Sequence, residues 1–261
     1  MIINIAGGNG PMGRTHKPVF EAAGHEVIIS GRNSTPSLEV AASMADLTII
    51  TVPISATQQI IERVAPVSEA VMDFTGVKIP FLDLMKHYAP KNAEVGSLHP
   101  LYGERESIYN ETVVYCPTEK SGEKCKAVIG AFEKAGAKVL IKTAEEHDRL
   151  MHYTQNERTF MLRRYISGLM HAGLSLEEVY AVSPPPTRIL LDLLARQVDI
   201  KNGSMYEEML SYNRFSKLKY SQEERAQLKT PEEIRTFFGR ELVAAQKRAD
   251  RFIKESKCSI Y

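Results

Sequence analysis

The feature that most constrains the fold is a regular alternation of short apolar runs with amphipathic segments along the first 142 residues. Segments with helical periodicity, such as Met12 to Ala23, Ser55 to Val64 and Glu119 to Ala135, separate runs that are rich in β-branched residues. Seven such runs are predicted strands: IINIAG, HEVIIS, DLTIITVP, AVMDF, AEVGSL, TVVYC and AKVLI. This alternation predicts βαβ units and a mostly parallel, doubly wound α/β sheet.

The second half of the chain has a different pattern, because the β-rich text stops after Thr143 and helical periodicity dominates from there on. Three turn-forming stretches interrupt it: SPPP at Ser183 to Pro186, KNGS at Lys201 to Ser204, and KTP at Lys229 to Pro231. We therefore predict two domains, residues 1–143 with the sheet and residues 144–261 all helical. Short helices with many apolar residues often bury them against a second copy, so a homodimer through the helical domain is expected.

Composition narrows the classes of partner. The 33 basic and 32 acidic residues give a net charge of +1, which does not favour nucleic acid or an anionic membrane as a partner. The first apolar run starts at Ile2 and leaves no room for a signal peptide, and no stretch approaches the ~20 apolar residues of a membrane span. We therefore expect a cytoplasmic protein. Cys116, Cys125 and Cys258 are spaced neither as a disulfide framework nor as zinc ligands, so they are predicted to be reduced thiols.

A glycine-rich stretch, IAGGNGPMG, follows the first predicted strand, opens a helix and has its glycines in the GxGxxG spacing. In such a loop the first glycine permits a tight turn, the second lets a pyrophosphate approach the backbone, and the third allows close helix packing. We therefore predict a Rossmann-type dinucleotide-binding domain, with a structural turn in a non-binding fold as the alternative. The predicted phosphate loop comprises Gly8, Asn9, Gly10, Pro11, Met12 and Gly13.

The end of the second predicted strand bears on the choice of dinucleotide. Where an acidic residue would bind the ribose of NAD, this chain has Ser30, Arg32 and Asn33 and no carboxylate. An arginine there can pair with a 2′-phosphate, so NADP is the predicted cofactor; NAD remains possible, with Arg32 as a solvated loop residue. Val52 and Pro53, at the end of the third strand, are predicted to border the cofactor, with an ordinary strand-to-helix turn as the alternative.

Two further strand ends carry residues suited to catalysis. MDFTGVK ends the fourth predicted strand and GSLHPLYG ends the fifth, and open α/β sheets collect ligands at such ends. Lys78 and His99 are therefore expected to face one crevice. A histidine with a pKa near neutrality can accept a hydroxyl proton as a hydride leaves the same carbon. Residue chemistry alone leaves His99 open between a catalytic base and a buried core histidine.

The helical text begins with EEHDRLMHYTQNE at the predicted domain junction. His147 and His152 are five residues apart, so they diverge around a helix and do not form a metal pair, and no metal site is predicted. We expect His147 and Asp148 to cap or connect the junction, and Gln155 to reach the crevice.

Arg188 and Arg196 lie eight residues apart on one side of the strongly apolar helix SPPPTRILLDLLARQ. Buried guanidinium groups need anionic partners, which a dicarboxylate substrate would supply. The alternative is an intradomain or dimer-interface salt bridge, and the residues alone favour that alternative slightly.

Taken together, these motifs resemble the prephenate/arogenate dehydrogenase family over nearly the whole chain. That family has a Rossmann domain followed by a helical dimerisation domain. GGNGPMG is similar to its glycine loop, DFTGVK to its Asp…Val-Lys segment, and LHPLYG to its His-Pro-hydrophobic-aromatic-Gly motif. TVPI is similar to its third strand, EEHDRLM to its Glu-His-Asp helix start, and SPPPTRILLDLLAR to its arginine-bearing helix.

The resemblance implies a prephenate dehydrogenase of tyrosine biosynthesis, and the residues after the second strand make NADP its expected cofactor. Such an enzyme decarboxylates prephenate oxidatively to 4-hydroxyphenylpyruvate, with hydride transfer to the nicotinamide. His99 would take the proton of the ring C4 hydroxyl, and Lys78 would lie near the cofactor. Arginine suits a carboxylate because its planar fork can bind both oxygens. The substrate-binding residues that the resemblance implies are Arg196, Arg188, Gln155 and Tyr102.

Two departures from the family pattern qualify this expectation. Many relatives have a serine directly before the Val-Lys pair, where this chain has Gly76, and Thr75 beside it is predicted to take the catalytic place of the serine. Relatives also carry an arginine and a histidine after the glutamine of the interdomain helix, where this chain reads QNERTF. Arogenate therefore remains an alternative substrate, and a deazaflavin-dependent NADP reductase or a non-enzymatic NADP-sensing protein remains an alternative function.

Overall fold

The structure is a computed structural model that describes residues 1–197, 203–219 and 228–258. They form two compact units, the first spanning Met1–Met151 and the second beginning at His152. Lys201 and Asn202, which belong to the predicted KNGS interruption, lie outside the described residues.

One seven-stranded sheet forms the centre of the first unit, in the order β2-β1-β3-β4-β5-β6-β7. Strands β1 to β5 are parallel, β6 runs antiparallel to β5, and β7 is parallel to β6. All seven predicted strands and the predicted fold class are confirmed. The strands are β1 (Ile2–Ala6), β2 (Glu26–Ser30), β3 (Leu47–Ile50), β4 (Ala70–Asp73), β5 (Glu94–Pro100), β6 (Thr112–Pro117) and β7 (Lys138–Ile141).

Register brings the carboxyl ends of the five parallel strands into one row. Ala6 lies opposite Ser30 on one side and Ile50 on the other. Ile50 in turn pairs with Asp73, and Asp73 with Ser97. The glycine loop, the loop that follows β2 and the His99 segment therefore start from the same edge of the sheet. The strand order reverses between β1 and β3, where such sheets bind ligands.

The helices of the first unit form two groups, α1 with α5, and α3 with α2 and α4. Helix α6 contacts α4 and β6, so it belongs to the first unit. The break between the units therefore lies one helix later than the predicted boundary at residue 144. The helices are α1 (Pro11–Ala22), α2 (Leu38–Met44), α3 (Ile54–Val64), α4 (Ile79–Tyr88), α5 (Glu123–Lys134) and α6 (Ala144–Met151), with a 3₁₀ turn at Ala65–Val67.

The second unit is helical in its described parts. Its core includes Leu162, Ile166, Leu191, Leu194 and Phe238, and its apolar faces supply most of the stability of such short helices. The predicted interruptions at SPPP and KTP are confirmed. The elements are a π-helical segment (His152–Glu157), α7 (Arg158–His171), α8 (Leu176–Val182), α9 (Pro185–Gln197), α10 (Gly203–Tyr212), α11 (Arg214–Lys219), α12 (Pro231–Phe238) and α13 (Arg240–Cys258).

Within the described ranges, no helix is long and apolar enough to cross a membrane. Nor do the described side chains include a cluster of three or more histidines, cysteines or acids that could hold a metal ion.

Candidate active site

The glycine loop between β1 and α1 has the close packing that a dinucleotide phosphate site requires. Gly7, one residue before the predicted motif, has a φ of 89°, so it makes the tight turn that the sequence assigned to Gly8. A Cβ at Gly13 would collide with the backbone of Gly8, so only glycine lets the helix approach the loop this closely. Pro11 starts α1, and no acidic residue lies in the first turn. The helix N-terminus is therefore free to attract a phosphate.

A cleft of about 340 Å³ connects this loop with the end of β2. Arg32 and Asn33 are exposed there, on a turn that Ser34 holds by accepting the backbone N–H of Gly31 at 2.9 Å. Arg32 has no ion-pair partner within the described part of the chain, so its guanidinium is available to an anion. The cleft is lined by Gly7, Asn9, Ser30, Gly31, Arg32, Asn33 and Ser34.

The other predicted cofactor residues lie around the same loop. Val52 packs against Gly7, since a Cβ on that glycine would lie 2.8 Å from the Val52 Cγ1 atom. Pro53 is exposed and precedes the first turn of α3. Ser30 is fully buried, and its hydroxyl donates to Asn4 Oδ1 at 2.8 Å. The glycine turn and the cleft together fit a dinucleotide.

His99 lies near the end of β5, and its imidazole belongs to a line of three side chains. Its Nδ1 atom is 2.8 Å from Nε2 of His147, and Nδ1 of His147 is 2.8 Å from Oδ1 of Asp148. Asp148 also accepts the backbone N–H groups of Lys78 at 2.8 Å and Ile79 at 3.0 Å. His99 is 8% exposed, and its Nε2 atom has no hydrogen-bond partner among the described residues. It therefore combines burial with one unengaged ring nitrogen.

Burial keeps both imidazoles neutral. It is the main cause that holds the pKa of His99 well below its ordinary value, with smaller effects of His147 and Lys78. The pKa of His147 is also lowered, first by burial and then by the charge of Lys78. A neutral imidazole has one basic nitrogen, which a proton acceptor in catalysis needs.

The position of Lys78 corrects the expectation that its ammonium faces the same crevice as His99. The side chain is 0% exposed, and its Nζ atom donates to the carbonyl of Leu98 at 2.7 Å and lies 3.4 Å from Asp73 Oδ2. A buried ammonium is stable only with such partners. Lys78 therefore holds the backbone directly before His99 and does not present its charge to a ligand.

Thr75 and Tyr102 are also turned inward, contrary to the roles expected for them. Thr75 donates its hydroxyl to the Asp73 carboxylate, which also receives the hydroxyl of Ser97, so it does not replace a ligand-binding serine. The Tyr102 hydroxyl lies 3.0 Å from Nε2 of His16, in the core beside α1. Both side chains are at most 8% exposed. They support the strand ends that carry the site.

In the second unit, the two arginines of α9 have different surroundings. Arg188 is exposed and donates to the carbonyls of Ser183 at 2.9 Å and Ala181 at 3.4 Å, so it satisfies the carboxyl end of α8. Arg196 Nε lies 3.0 Å from Asp250 of α13, with the Arg196 side chain 36% exposed. The expectation that both guanidiniums lie on the buried side is wrong, because Leu191, Leu194 and Ala195 occupy that side.

Gln155 lies in the π-helical segment at the start of the second unit. Its Oε1 atom is buried and has no hydrogen-bond partner within the described residues. A buried carbonyl oxygen without a donor is costly, so a ligand that donates to it would gain affinity. The substrate role of Gln155 stays a prediction.

The residues that sequence reasoning missed are the partners of His99. His147 and Asp148 were expected only to cap or connect a junction, and Asp148 does cap the start of α4. The contact of His147 with His99 spans 48 residues of sequence. The available signal was a histidine next to an aspartate on a helix, which by itself does not identify the third member of the line.

The sequence is similar to one protein family and to several known proteins. Residues 12–141 match the family described as prephenate dehydrogenase, nucleotide-binding domain. The chain is 26% identical over 233 residues to the probable arogenate/prephenate dehydrogenase of Methanocaldococcus jannaschii, covering 82% of this chain and 52% of that protein. It is 30% identical over 195 residues to the T-protein of Enterobacter agglomerans, covering 74% of this chain and 52% of that protein. The chain thus spans about half the length of the curated relatives it matches.

Solved structures share the fold. The prephenate dehydrogenase of Aquifex aeolicus, in complex with hydroxyphenyl propionate and NAD+, superposes with a TM-score of 0.67 at 17% identity, over 99% of this chain and 96% of that one. The arogenate dehydrogenase of Synechocystis gives a TM-score of 0.61 at 18% identity, over 99% and 98% of the two chains. At these identities the similarity shows the fold alone.

Proposed function

Because the chain belongs to the prephenate/arogenate dehydrogenase family, we propose that it is an NADP-preferring prephenate dehydrogenase that forms 4-hydroxyphenylpyruvate. The observation that carries the proposal is the His99 imidazole, which is neutral, buried and hydrogen-bonded through Nδ1 alone. Such a group can accept the proton of a substrate hydroxyl at Nε2.

The reaction requires little more of the protein than a proton acceptor, charge complementarity and orientation. A bound nicotinamide would supply the acceptor for the hydride of ring C4. His99 Nε2 accepts the hydroxyl proton as that hydride leaves. Loss of the ring carboxylate as carbon dioxide supplies the electron pair that aromatises the ring, and His99 returns its proton to the phenolate oxygen. Orientation and stabilisation of the developing charge contribute most of the rate.

Arg196 is the proposed residue for a substrate carboxylate. Asp250 engages its Nε atom, while its two Nη atoms have no partner among the described residues. A guanidinium held by one edge can still bind a carboxylate through the other. Arg188 has no place in this proposal, because it donates to the end of α8.

The preference for NADP is proposed from the loop after β2. Arg32 and Asn33 are exposed beside the cleft, and the described residues that line it include no carboxylate to bind a ribose hydroxyl instead. Anion binding by an arginine and nearby amide or hydroxyl donors favours the phosphorylated dinucleotide.

A cytoplasmic homodimer through the helical unit completes the proposal. Its support is a set of large apolar side chains exposed on that unit, including Met161 at 63%, Val182 at 86% and Val243 at 52%. Exposed apolar surface of this kind is typical of an interface. Light scattering of the purified protein measures the mass directly, and a monomer at micromolar concentration would contradict the dimer.

Arogenate is the second candidate substrate, since the Methanocaldococcus relative and the Synechocystis neighbour carry that name. The test combines purified protein with NADP or NAD and with prephenate or arogenate, and follows reduced nicotinamide and the aromatic product. We expect NADP with prephenate to give the highest kcat/KM and to yield 4-hydroxyphenylpyruvate. Tyrosine formed from arogenate at a higher kcat/KM would reverse the substrate assignment, and no reduced nicotinamide in any pair would contradict a dehydrogenase.

A further inference from the structure

Three side chains from distant parts of the sequence form a continuous hydrogen-bonded line in the first unit. His99 comes from β5, and His147 and Asp148 come from α6, with 2.8 Å between His99 Nδ1 and His147 Nε2 and 2.8 Å between His147 Nδ1 and Asp148 Oδ1. His147 is 0% exposed and Asp148 is 1% exposed. Solvent therefore does not replace either partner.

The direction of the protons along this line follows from its far end. Both oxygens of Asp148 receive backbone N–H groups, from Lys78 and Ile79, so the carboxylate acts as an acceptor. His147 must then donate from Nδ1. Because His147 is neutral, its Nε2 atom is unprotonated and can only accept. The proton in the contact between the two imidazoles therefore belongs to His99 Nδ1, which leaves Nε2 of His99 as the basic nitrogen.

The charges around the line favour this arrangement. Lys78, directly before α4, acts electrostatically on both imidazoles. Cys116 of β6 interacts electrostatically with Lys78, Asp73 and Asp148. The ammonium of Lys78 and burial both oppose a positive charge on His99. When His99 accepts a proton, the negative charge of Asp148 reduces the free-energy cost of the new positive charge, because His147 connects the two groups.

We propose that His147 and Asp148 are positioning residues that act through His99: they keep its proton on Nδ1 and direct the lone pair of Nε2 towards the substrate hydroxyl. The inference rests on the proposed function for its catalytic consequence, but the tautomer itself can be measured without substrate. Free histidine in water favours the other tautomer, so the expected state of His99 requires its partner.

The first experiment is nitrogen-15 NMR of the whole protein with labelled histidine, with the His99 signal identified by its loss in His99→Asn. We expect protonated Nδ1 and unprotonated Nε2 in the unliganded protein near neutral pH. We expect His147→Leu, which removes the acceptor, to shift His99 towards protonated Nε2. His147→Gln, whose amide oxygen can accept the same proton, should retain the Nδ1–H form. A protonated Nε2 in the wild-type protein, or a tautomer unchanged by His147→Leu, would overturn the inference.

The second experiment measures the same variants with NADP and prephenate. His147→Leu should lower kcat on the order of 100-fold, as expected when a catalytic histidine loses the partner that fixes its tautomer, with the KM for NADP nearly unchanged. His147→Gln should recover kcat to within about tenfold of wild type. Equal kcat losses in both variants, with equal melting temperatures, would also overturn the inference. If wild type turns over no substrate while the NMR result stands, the proposed function fails and the positioning of His99 does not.

If His147→Leu does not fold, as circular dichroism would show, the wild-type tautomer and the spectrum of His147→Gln still decide the question. A mixture of tautomers in the wild type would count against the inference, because the line would then fail to fix the proton.

Discussion

Two charged residues at the strand ends of the first unit are buried, whereas the two arginines of α9 in the helical unit are partly exposed or exposed. Lys78 and Asp73 are both 0% exposed and are bonded to each other, to backbone and to neighbouring hydroxyls. Arg196 and Asp250, in contrast, are 36% and 56% exposed and share one contact. A buried ion must satisfy every donor and acceptor inside the protein, whereas a half-exposed ion can leave some to water or a ligand.

This contrast distinguishes charged residues that stabilise the fold from those that are proposed to bind a ligand. Within the described residues, the buried groups around His99 leave only its Nε2 atom unengaged, so their arrangement leaves one atom for the proposed proton transfer. Water can reach the Nη atoms of Arg196, so these atoms do not need a partner inside the protein and can bind a ligand. The following variants test each side of this difference, beginning with the largest expected effect.

Replacing the proposed catalytic histidine should have the largest effect. His99→Asn keeps a polar side chain but lacks a base, so kcat should fall by roughly 10² to 10⁴-fold while the affinity for NADP stays nearly the same. Steady-state kinetics and a fluorescence titration of NADP measure the two quantities. His171→Asn is the control, because His171 is exposed and contacts the carbonyl of Ser167 on its own helix. Near-normal kcat in His99→Asn would mean that the base lies elsewhere.

Removing the buried cation should chiefly reduce stability. Lys78→Met leaves the Asp73 carboxylate buried without its cation, so the free energy of unfolding should fall by about 3 to 5 kcal/mol in a urea titration. Lys86→Met in α4, the helix that follows Lys78, is the matched control. Lys86 pairs with Asp83 at the surface, so this variant should lose at most about 1 kcal/mol. Equal losses in the two variants would remove the distinction between the buried and the exposed pairs.

The next variant tests whether the helical unit binds substrate. Arg196→Gln should raise the KM for prephenate by a factor corresponding to ~2 to 4 kcal/mol, because a desolvated ion pair with a carboxylate would be lost. Arg188→Gln and Asp250→Asn are the controls, and both should leave the KM for prephenate within about threefold. An unchanged KM in Arg196→Gln would assign that guanidinium to the pair with Asp250 alone.

The smallest effect is expected at the exposed end of β2. Arg32→Gln should lower kcat/KM for NADP about tenfold and leave kcat/KM for NAD nearly unchanged, since one charge-assisted contact with a phosphate is removed. Added salt should reduce the difference between wild type and variant, because exposed charges are screened. Arg63→Gln, which breaks an exposed pair with Glu39, is the control. Equal losses with both cofactors would contradict a phosphate-binding role for Arg32.

Most of the fold could be predicted from the sequence. Strand positions follow from runs such as DLTII, which is buried on both faces from Leu47 to Ile50, and from turn residues between the runs. The interruptions at SPPP and KTP are local, because proline restricts the residue before it and Thr230 caps the next helix. The domain boundary was less accessible, because α6 has ordinary helical periodicity and only its contacts assign it to the first unit.

The site was predictable only in part. The GxGxxG spacing predicted the glycine loop, and the end of the second strand predicted Arg32, which lies beside the cleft. Both predictions were possible because each depends on residues close in sequence. Lys78, Thr75 and Tyr102 were expected to meet ligands, yet each is satisfied inside the first unit. The partners of Lys78 and Tyr102, the Leu98 carbonyl and His16, lie 20 and 86 residues away in the sequence, so local residues do not indicate them.

The sequence by itself determined the periodicity, the order of the elements and the residue types available at each strand end, because these depend on local sterics and on which side chains avoid water. Tertiary structure decided which polar groups are hydrogen-bonded inside the protein and which are left to bind a ligand or water. Register placed Asp73 beside Ser97, and packing of α6 brought His147 to His99. A buried hydrogen bond needs both partners within about 3 Å, and residues 48 positions apart reach that distance only through the fold.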